Sequence, residues 1–208
     1  MEVSITRALS ELKLLDKRIN RAINEAIFAG YLDGDKPMAG FQNKEEIEAR
    51  AKSDFQSVKD LIKRRNAIKS AIVVSNATTD VEIAGKTMTV AEAIERKTSI
   101  EYEKKLLQKL KNTYTTIVSL IEDKNEEVKE RLDRQLEGFT ESAKKATDSQ
   151  VIQTFIDNYL AKNEYKFVDP LNIKKVIEEL TKDIEDFESE VDFALSTSNT
   201  ITKITIPD

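Results

Sequence analysis

The sequence predicts a mainly α protein: an antiparallel bundle or coiled coil of long helices, with a small β-hairpin and a C-terminal strand. Three observations carry this. Apolar residues recur at alternating spacings of three and four over long stretches, the signature of a helix with one buried stripe. Only five glycines and three prolines occur in 208 residues, too few for a loop-rich or many-turned all-β fold. The chain is 34% charged and only 6% aromatic, which suits long helices that each bury a narrow seam. Its length fits one helical domain over residues 1–208. An apolar fraction of 39% is low for a globular chain, so self-association into a homo-oligomer is expected.

The first helix is predicted over 4–29, where Ile5, Ala8, Leu12, Leu15, Ile19, Ala22 and Ala26 repeat by 3 and 4. Three of the five glycines and Pro37 lie between Gly30 and Asn43, and stop it. Asn43 and Glu46 have capping-box spacing and open a second helix over 44–74, with the stripe Ile47, Ala51, Phe55, Val58, Leu61/Ile62, Ile68 and Ile72.

From 79 to 89 the period changes to two on either side of Ala84-Gly85-Lys86, which predicts a hairpin. Thr89 and Glu92 form a second capping-box pair at the head of a long helix over 90–136, about 70 Å at 1.5 Å per residue. Its stripe includes Leu107, Leu110, Tyr114, Ile117, Ile121, Val128 and Leu132. Gly138 and the polar residues after it predict a loop, followed by a short helix over 150–161. Asp169-Pro170 supplies a cap and a first-turn proline for a last helix over 170–195, whose seam is Ile173, Ile177, Leu180, Ile184, Phe187, Val191 and Ala194. Residues 200–206 alternate as a strand that is expected to pair with the hairpin.

The chain has no cysteine, histidine or tryptophan. That removes Cys/His and Ser-His-Asp nucleophile systems, thiolate or imidazole zinc sites and disulfides. No apolar run approaches the ~20 residues that span a bilayer, so no membrane association is expected. The opening Met1-Glu2-Val3-Ser4 has neither the basic nor the apolar part of a secretory signal, and the expected location is the cytoplasm. The net charge of −5 is uneven: residues 1–75 carry +3, residues 76–163 carry −2 and residues 164–208 carry −6. This is not the balance of a general nucleic-acid binder.

Two motifs carry no chemistry in this context. Gly85-Lys86-Thr87 has the tail of a phosphate-binding loop, but the position five residues earlier is Asp80 instead of glycine, and the tripeptide sits at a hairpin tip. Asn76-Ala77-Thr78 matches a glycosylation acceptor that a cytosolic chain does not use. The acidic run Asp183, Glu185, Asp186, Glu188, Glu190 and Asp192 surrounds an apolar seam and reads as a solvated face or a partner contact. No catalytic residue, cofactor or metal is expected.

One cluster invites a site. Lys59, Lys63, Arg64, Arg65 and Lys69 are opposed only by Asp60, and Arg65 falls on the apolar stripe. Lys97 and Lys104 interrupt the early stripe of the long helix in the same way. If the hairpin folds these two helices back on each other, Arg65, Lys69, Arg96 and Lys97 converge just below it. The candidate ligand-binding set is therefore Arg64, Arg65, Asn66, Lys69, Asn76, Thr78, Thr79, Arg96 and Lys97. Two readings stay open. The cations either snorkel or pair with Glu92, Glu95 and the acidic last helix, or they form an anion pocket suited to a nucleotide or another phosphate-bearing ligand.

The segment Arg65-Asn66, Ser75-Asn76-Ala77-Thr78-Thr79 and Ala84-Gly85-Lys86-Thr87-Met88-Thr89-Val90-Ala91-Glu92-Ala93-Ile94 resembles a family of small proteins from phages, prophages and Gram-positive bacteria, sometimes labelled septicolysin-like. The likeness spans most of residues 5–136, and Asp169-Pro170-Leu171 with the last helix again resembles its phage members. The resemblance implies a helical bundle with a central hairpin, no catalytic motif, and a phage protein in the host bacterial cytosol. The label suggests a toxin, although no insertable apolar helix is present. Two functions then compete. One is an oligomeric, non-enzymatic binding protein that sequesters an anionic, nucleotide-derived host immune signal in the basic pocket. The other is a structural or interaction protein that uses its seams in a virion or to block a host protein.

Overall fold

The computed structural model describes residues 1–143 and 149–206. The fold is mainly α, as the seams predict. The order is β1 (Glu2–Ser4), α1 (Ile5–Glu25), β2 (Leu32–Asp33), β3 (Lys36–Pro37), α2 (Lys44–Thr78), β4 (Asp80–Ile83), β5 (Lys86–Thr89), α3 (Val90–Ala143), α4 (Ser149–Asn163), α5 (Ile173–Ile201) and β6 (Lys203–Thr205). Two compact units form: Met1–Thr98 with Asp186–Asp208, and Ser99–Glu185.

In the first unit α1 and α2 pack antiparallel. Ile5, Ala8, Leu12, Leu15 and Ile19 of α1 join Ile68 and Ile72 of α2 in one apolar cluster, with Leu61 and Ala71 against it. Ser4 caps α1 by accepting the Arg7 N–H, and Asn43 caps α2 by accepting the Glu46 N–H at 2.8 Å. α1 stops at Glu25, a turn before the predicted end. The Asp54 carboxylate takes the Ile27 N–H at 2.9 Å and draws the chain out of the helix. That N–H, and Arg50 after it, hold the Asp54 carboxyl below its ordinary range. Phe55, predicted in the buried stripe, is instead 56% exposed and meets Phe28 edge-on at 6.4 Å.

The C-terminal strand corrects the predicted pairing. β6 pairs antiparallel with β1, Val3 opposite Ile204, and leaves the hairpin to itself. The Met1 amino group and the Ile206 N–H extend the ladder through bonds of 2.8 and 2.9 Å. The reason is burial: Val3, Ile204 and Ile206 all face the α1–α2 cluster. The hairpin forms as predicted. Ala84 and Gly85 both have positive φ, the I′-type geometry that suits a two-residue connection. β2 and β3, a miniature hairpin turning at Gly34, were not foreseen in the 30–43 loop.

Four further helix ends, in α2, α3 and α5, also differ. α2 continues to Thr78. α3 passes through Gly138 to Ala143, since one exposed glycine costs a long helix only about 1 kcal/mol; residues 144–148 of the predicted loop lie outside the described residues. α5 begins at Ile173 and continues to Ile201. Asp169 does cap it, accepting the N–H groups of Leu171 and Ile173, but Pro170 lies in the preceding turn. Val191 is buried as predicted, Leu195 instead of Ala194 continues the buried seam, and Ser198 carries it beyond the predicted end at 195.

The second unit is built around α3 from Ser99 onward, α4 and the start of α5. The segment between α4 and α5 is tied to α3. The Asn125 side chain exchanges hydrogen bonds with the Tyr165 backbone at 3.0 and 2.8 Å, and Phe167 meets Tyr114 edge-on at 5.8 Å. Val128, Leu132, Ile173 and Ile184 are buried here. Ile117 departs from the predicted stripe and is exposed.

Candidate anion site below the hairpin

The predicted cations lie in the first unit, and the structure sends them to two different neighbours. Arg64 and Arg65 sit on the face of α2 that carries Leu61, Ile68 and Ile72, so both guanidinium groups meet α1. Arg64 Nε donates to Glu11 Oε1 at 3.1 Å, with both side chains about a quarter exposed. Arg65 Nε donates to Asp16 Oδ1 at 2.8 Å. Arg96 and Lys97, on the first turns of α3, meet α5 instead. The Arg96 guanidinium lies 4.6 Å from the ring centre of Phe187, itself 1% exposed, and Lys97 pairs with Asp192. The convergence expected of Arg65, Lys69, Arg96 and Lys97 is therefore replaced by two separate contacts, α2 with α1 and α3 with α5.

The acidic run supplies part of this. Besides Asp192, Glu190 accepts the Ala84 N–H at the hairpin turn at 2.6 Å. The hairpin is thus fastened to α5 through its tip. At its other end Glu92 accepts both the N–H and the hydroxyl of Thr89, at 2.7 and 2.9 Å, and returns its own N–H to that hydroxyl. The Thr89 N–H first, then its hydroxyl, hold the Glu92 carboxyl below its ordinary range. Among the described residues no three acidic side chains gather closely enough to hold a metal ion.

The neutral members of the predicted set lie along the last turns of α2. Lys69 and Asn66 are exposed and Asn76 is half-buried. The Thr78 hydroxyl donates back into its own helix, to the carbonyls of Val74 and Ser75. Thr79 ends α2, and its carbonyl accepts the Val90 N–H at 2.8 Å, which closes the base of the hairpin. Beside them is a groove of about 610 Å³ between the end of α2 and β6, in which Ser70, Ser75, Thr78 and Thr79 face Thr202, Lys203 and Thr205. Sequence reasoning found the α2 wall and missed the β6 wall, because it placed β6 on the hairpin. The pattern that could have found it is the alternation shared by Val3, Ile5 and Ile204, Ile206.

Chemically, this arrangement differs from an open cationic pocket. An anion approaching Arg64, Arg65 or Lys97 must share or displace a carboxylate from another helix. Exposed and partly exposed ion pairs are worth about 0–1 kcal/mol, so a phosphate making two or more charge-assisted bonds can compete with them. Among the described residues no helix is long and apolar enough to cross a membrane. Comparison with protein-family models, curated proteins and solved structures returns no match.

Proposed function

We propose that this chain is a non-enzymatic interaction protein of the septicolysin-like group, encoded by a phage. It acts in the cytosol of the host bacterium by binding protein through its helix surfaces, including those of further copies of itself. The observation that carries this reading is a contrast of surfaces. Arg64, Arg65 and Lys97, the cations a ligand would need, are engaged by carboxylates of neighbouring helices. Large apolar side chains one turn apart on α3 are left to solvent: Tyr102 is 74% and Leu106 52% exposed. Exposed apolar side chains grouped on a surface mark protein contacts. Blocking a host defence protein, or joining a virion, are the roles this reading allows.

A second reading is favoured by the groove between α2 and β6. Its row of hydroxyls, with Lys203 in the β6 wall and Lys69 exposed on α2, suits sequestration of an anionic, nucleotide-derived immune signal. One experiment separates the two. The purified protein is exposed to lysate of infected, defended cells, recovered, washed and heated. A retained polypeptide and no released small molecule is the expected result. A nucleotide released from the wild type and not from Lys203→Glu, a change in the wall of that groove, with helicity unchanged, would replace the first reading by the second.

A further inference from the structure

α3 carries two apolar stripes, and among the described residues of the second unit one is buried and the other largely exposed. Leu107, Tyr114 and Ile121 are half-buried and Val128 and Leu132 are buried, on the side where Phe167 and Lys174 meet Tyr114. A quarter-turn away runs Leu106, Leu110, Thr113, Ile117 and Leu120, spaced 4, 3, 4 and 3. Leu106, Ile117 and Leu120 are 52%, 37% and 48% exposed, and Leu110 is half-buried. Spacing of this kind is the a/d seam of a two-helix coiled coil, and a seam needs a second helix of matching repeat.

The charges beside the stripe say which helix fits. Residues 104–111 hold four lysines and no carboxylate, whereas residues 122–130 hold five carboxylates and two lysines. A second copy in parallel would set lysines against lysines and carboxylates against carboxylates. A second copy in antiparallel would set each basic half against an acidic half. Charges flanking a seam fix partner choice and orientation in this way.

We propose that the exposed stripe of α3 is the contact surface of an antiparallel homodimer. The proposal rests on the interaction reading above and names its first partner, a second copy of this chain. In an antiparallel seam each d position packs against an a position of the other helix. The register that also joins the charged halves sets Leu110 of one copy against Leu120 of the other, and Thr113 against Ile117. Leu106 then lies along the aliphatic stem of Lys124. The same register brings Lys109 of one copy beside Asp123 of the other, twice by symmetry.

Because the chain has no cysteine, disulfide trapping is clean. Leu110→Cys and Leu120→Cys are prepared separately in the full chain, mixed and oxidised, with circular dichroism as the control for folding. The expected product is the mixed 110–120 disulfide, in excess over both self-linked species. Lys109→Asp should weaken dimerisation roughly five- to tenfold, on the scale of two lost flanking ion pairs, and Asp123→Lys in the same chain should restore it. A dominant 110–110 disulfide would overturn the antiparallel arrangement. A monomer by sedimentation at tens of micromolar, with no disulfide, would overturn the seam, and would leave the interaction reading standing if that monomer still retained a polypeptide. A trapped 110–120 dimer that released a nucleotide on heating would support the seam and overturn the interaction reading.

Discussion

Replacing Ile68 by alanine tests the register on which the first unit is built. Ile68 is 0% exposed and lies between α1 and α2 in the cluster with Ala8, Leu12 and Leu15. The substitution removes three buried carbons, about 2.4 kcal/mol of transfer free energy at roughly 0.8 kcal/mol each. Two long helices pinned by ion pairs collapse only partly around the gap, so the cavity raises the cost to roughly 4 kcal/mol, inside the usual 2–5 kcal/mol range. At about 2–4 °C per kcal/mol for a chain of this size, the midpoint should fall by roughly 8–16 °C. Ile62→Ala is the internal control. Ile62 lies on the same helix, less than two turns away, but is 38% exposed, and alanine is the better helix former. It should change stability by under about 1 kcal/mol. Thermal and urea unfolding, followed by helicity, read both variants. Equal losses at 62 and 68 would refute the assignment of the α2 stripe to Leu61, Ile68 and Ile72, and with it the placement of Arg64 and Arg65 against α1.

Other consequences follow from the same contacts. A double-mutant cycle on Arg64 and Glu11 should give a coupling of about 0.5–1 kcal/mol that shrinks in 1 M salt, as expected of a partly exposed pair; zero coupling at low salt would deny the contact. Glu92 has a depressed pKa in the fold, so its contribution is complete above the ordinary glutamate value near ~4.3 and disappears as pH falls through the lower folded value. The stability difference between wild type and Glu92→Gln should therefore be constant above about pH 5 and shrink below it. Gly30→Ala puts a Cβ at 2.6 Å from Ile47 Cγ2 and 2.7 Å from Met38 Sδ, and should cost about 1–3 kcal/mol. Gly138→Ala meets nothing within 4 Å inside a helix and should stabilise by about 0.5–1 kcal/mol; destabilisation there would contradict the continuous α3.

Much of this fold is legible in the sequence because its information is periodic. Ile5 through Ile19, the capping boxes Asn43/Glu46 and Thr89/Glu92, and the two-residue turn at Ala84-Gly85 are local signals, each satisfied within a few residues of itself. The misplaced features all depend on distant partners. β6 goes to β1 because Val3, Ile204 and Ile206 share a core made by α1 and α2, which spacing alone cannot announce. α1 ends early because Asp54, on another helix, takes the Ile27 N–H. The basic cluster shows the same divide. That Arg65 interrupts an apolar stripe is visible in the chain. Which carboxylate meets it depends on how the helices pair, and the simplest assumption, α2 folding back on α3, led away from Asp16 and Glu11. The unused stripe of α3 was merged with the used one for a related reason. Ile117 and Leu107 both fit a helical period, and only burial separates them.

Native mass spectrometry of the protein recovered from infected cells tests the interaction reading most directly, because one spectrum reports both copy number and small ligands. The expected result is twice the 23.6 kDa chain, alone or with a host or phage polypeptide, and no nucleotide-sized adduct. A single chain carrying such an adduct, lost in Lys203→Glu, would contradict it.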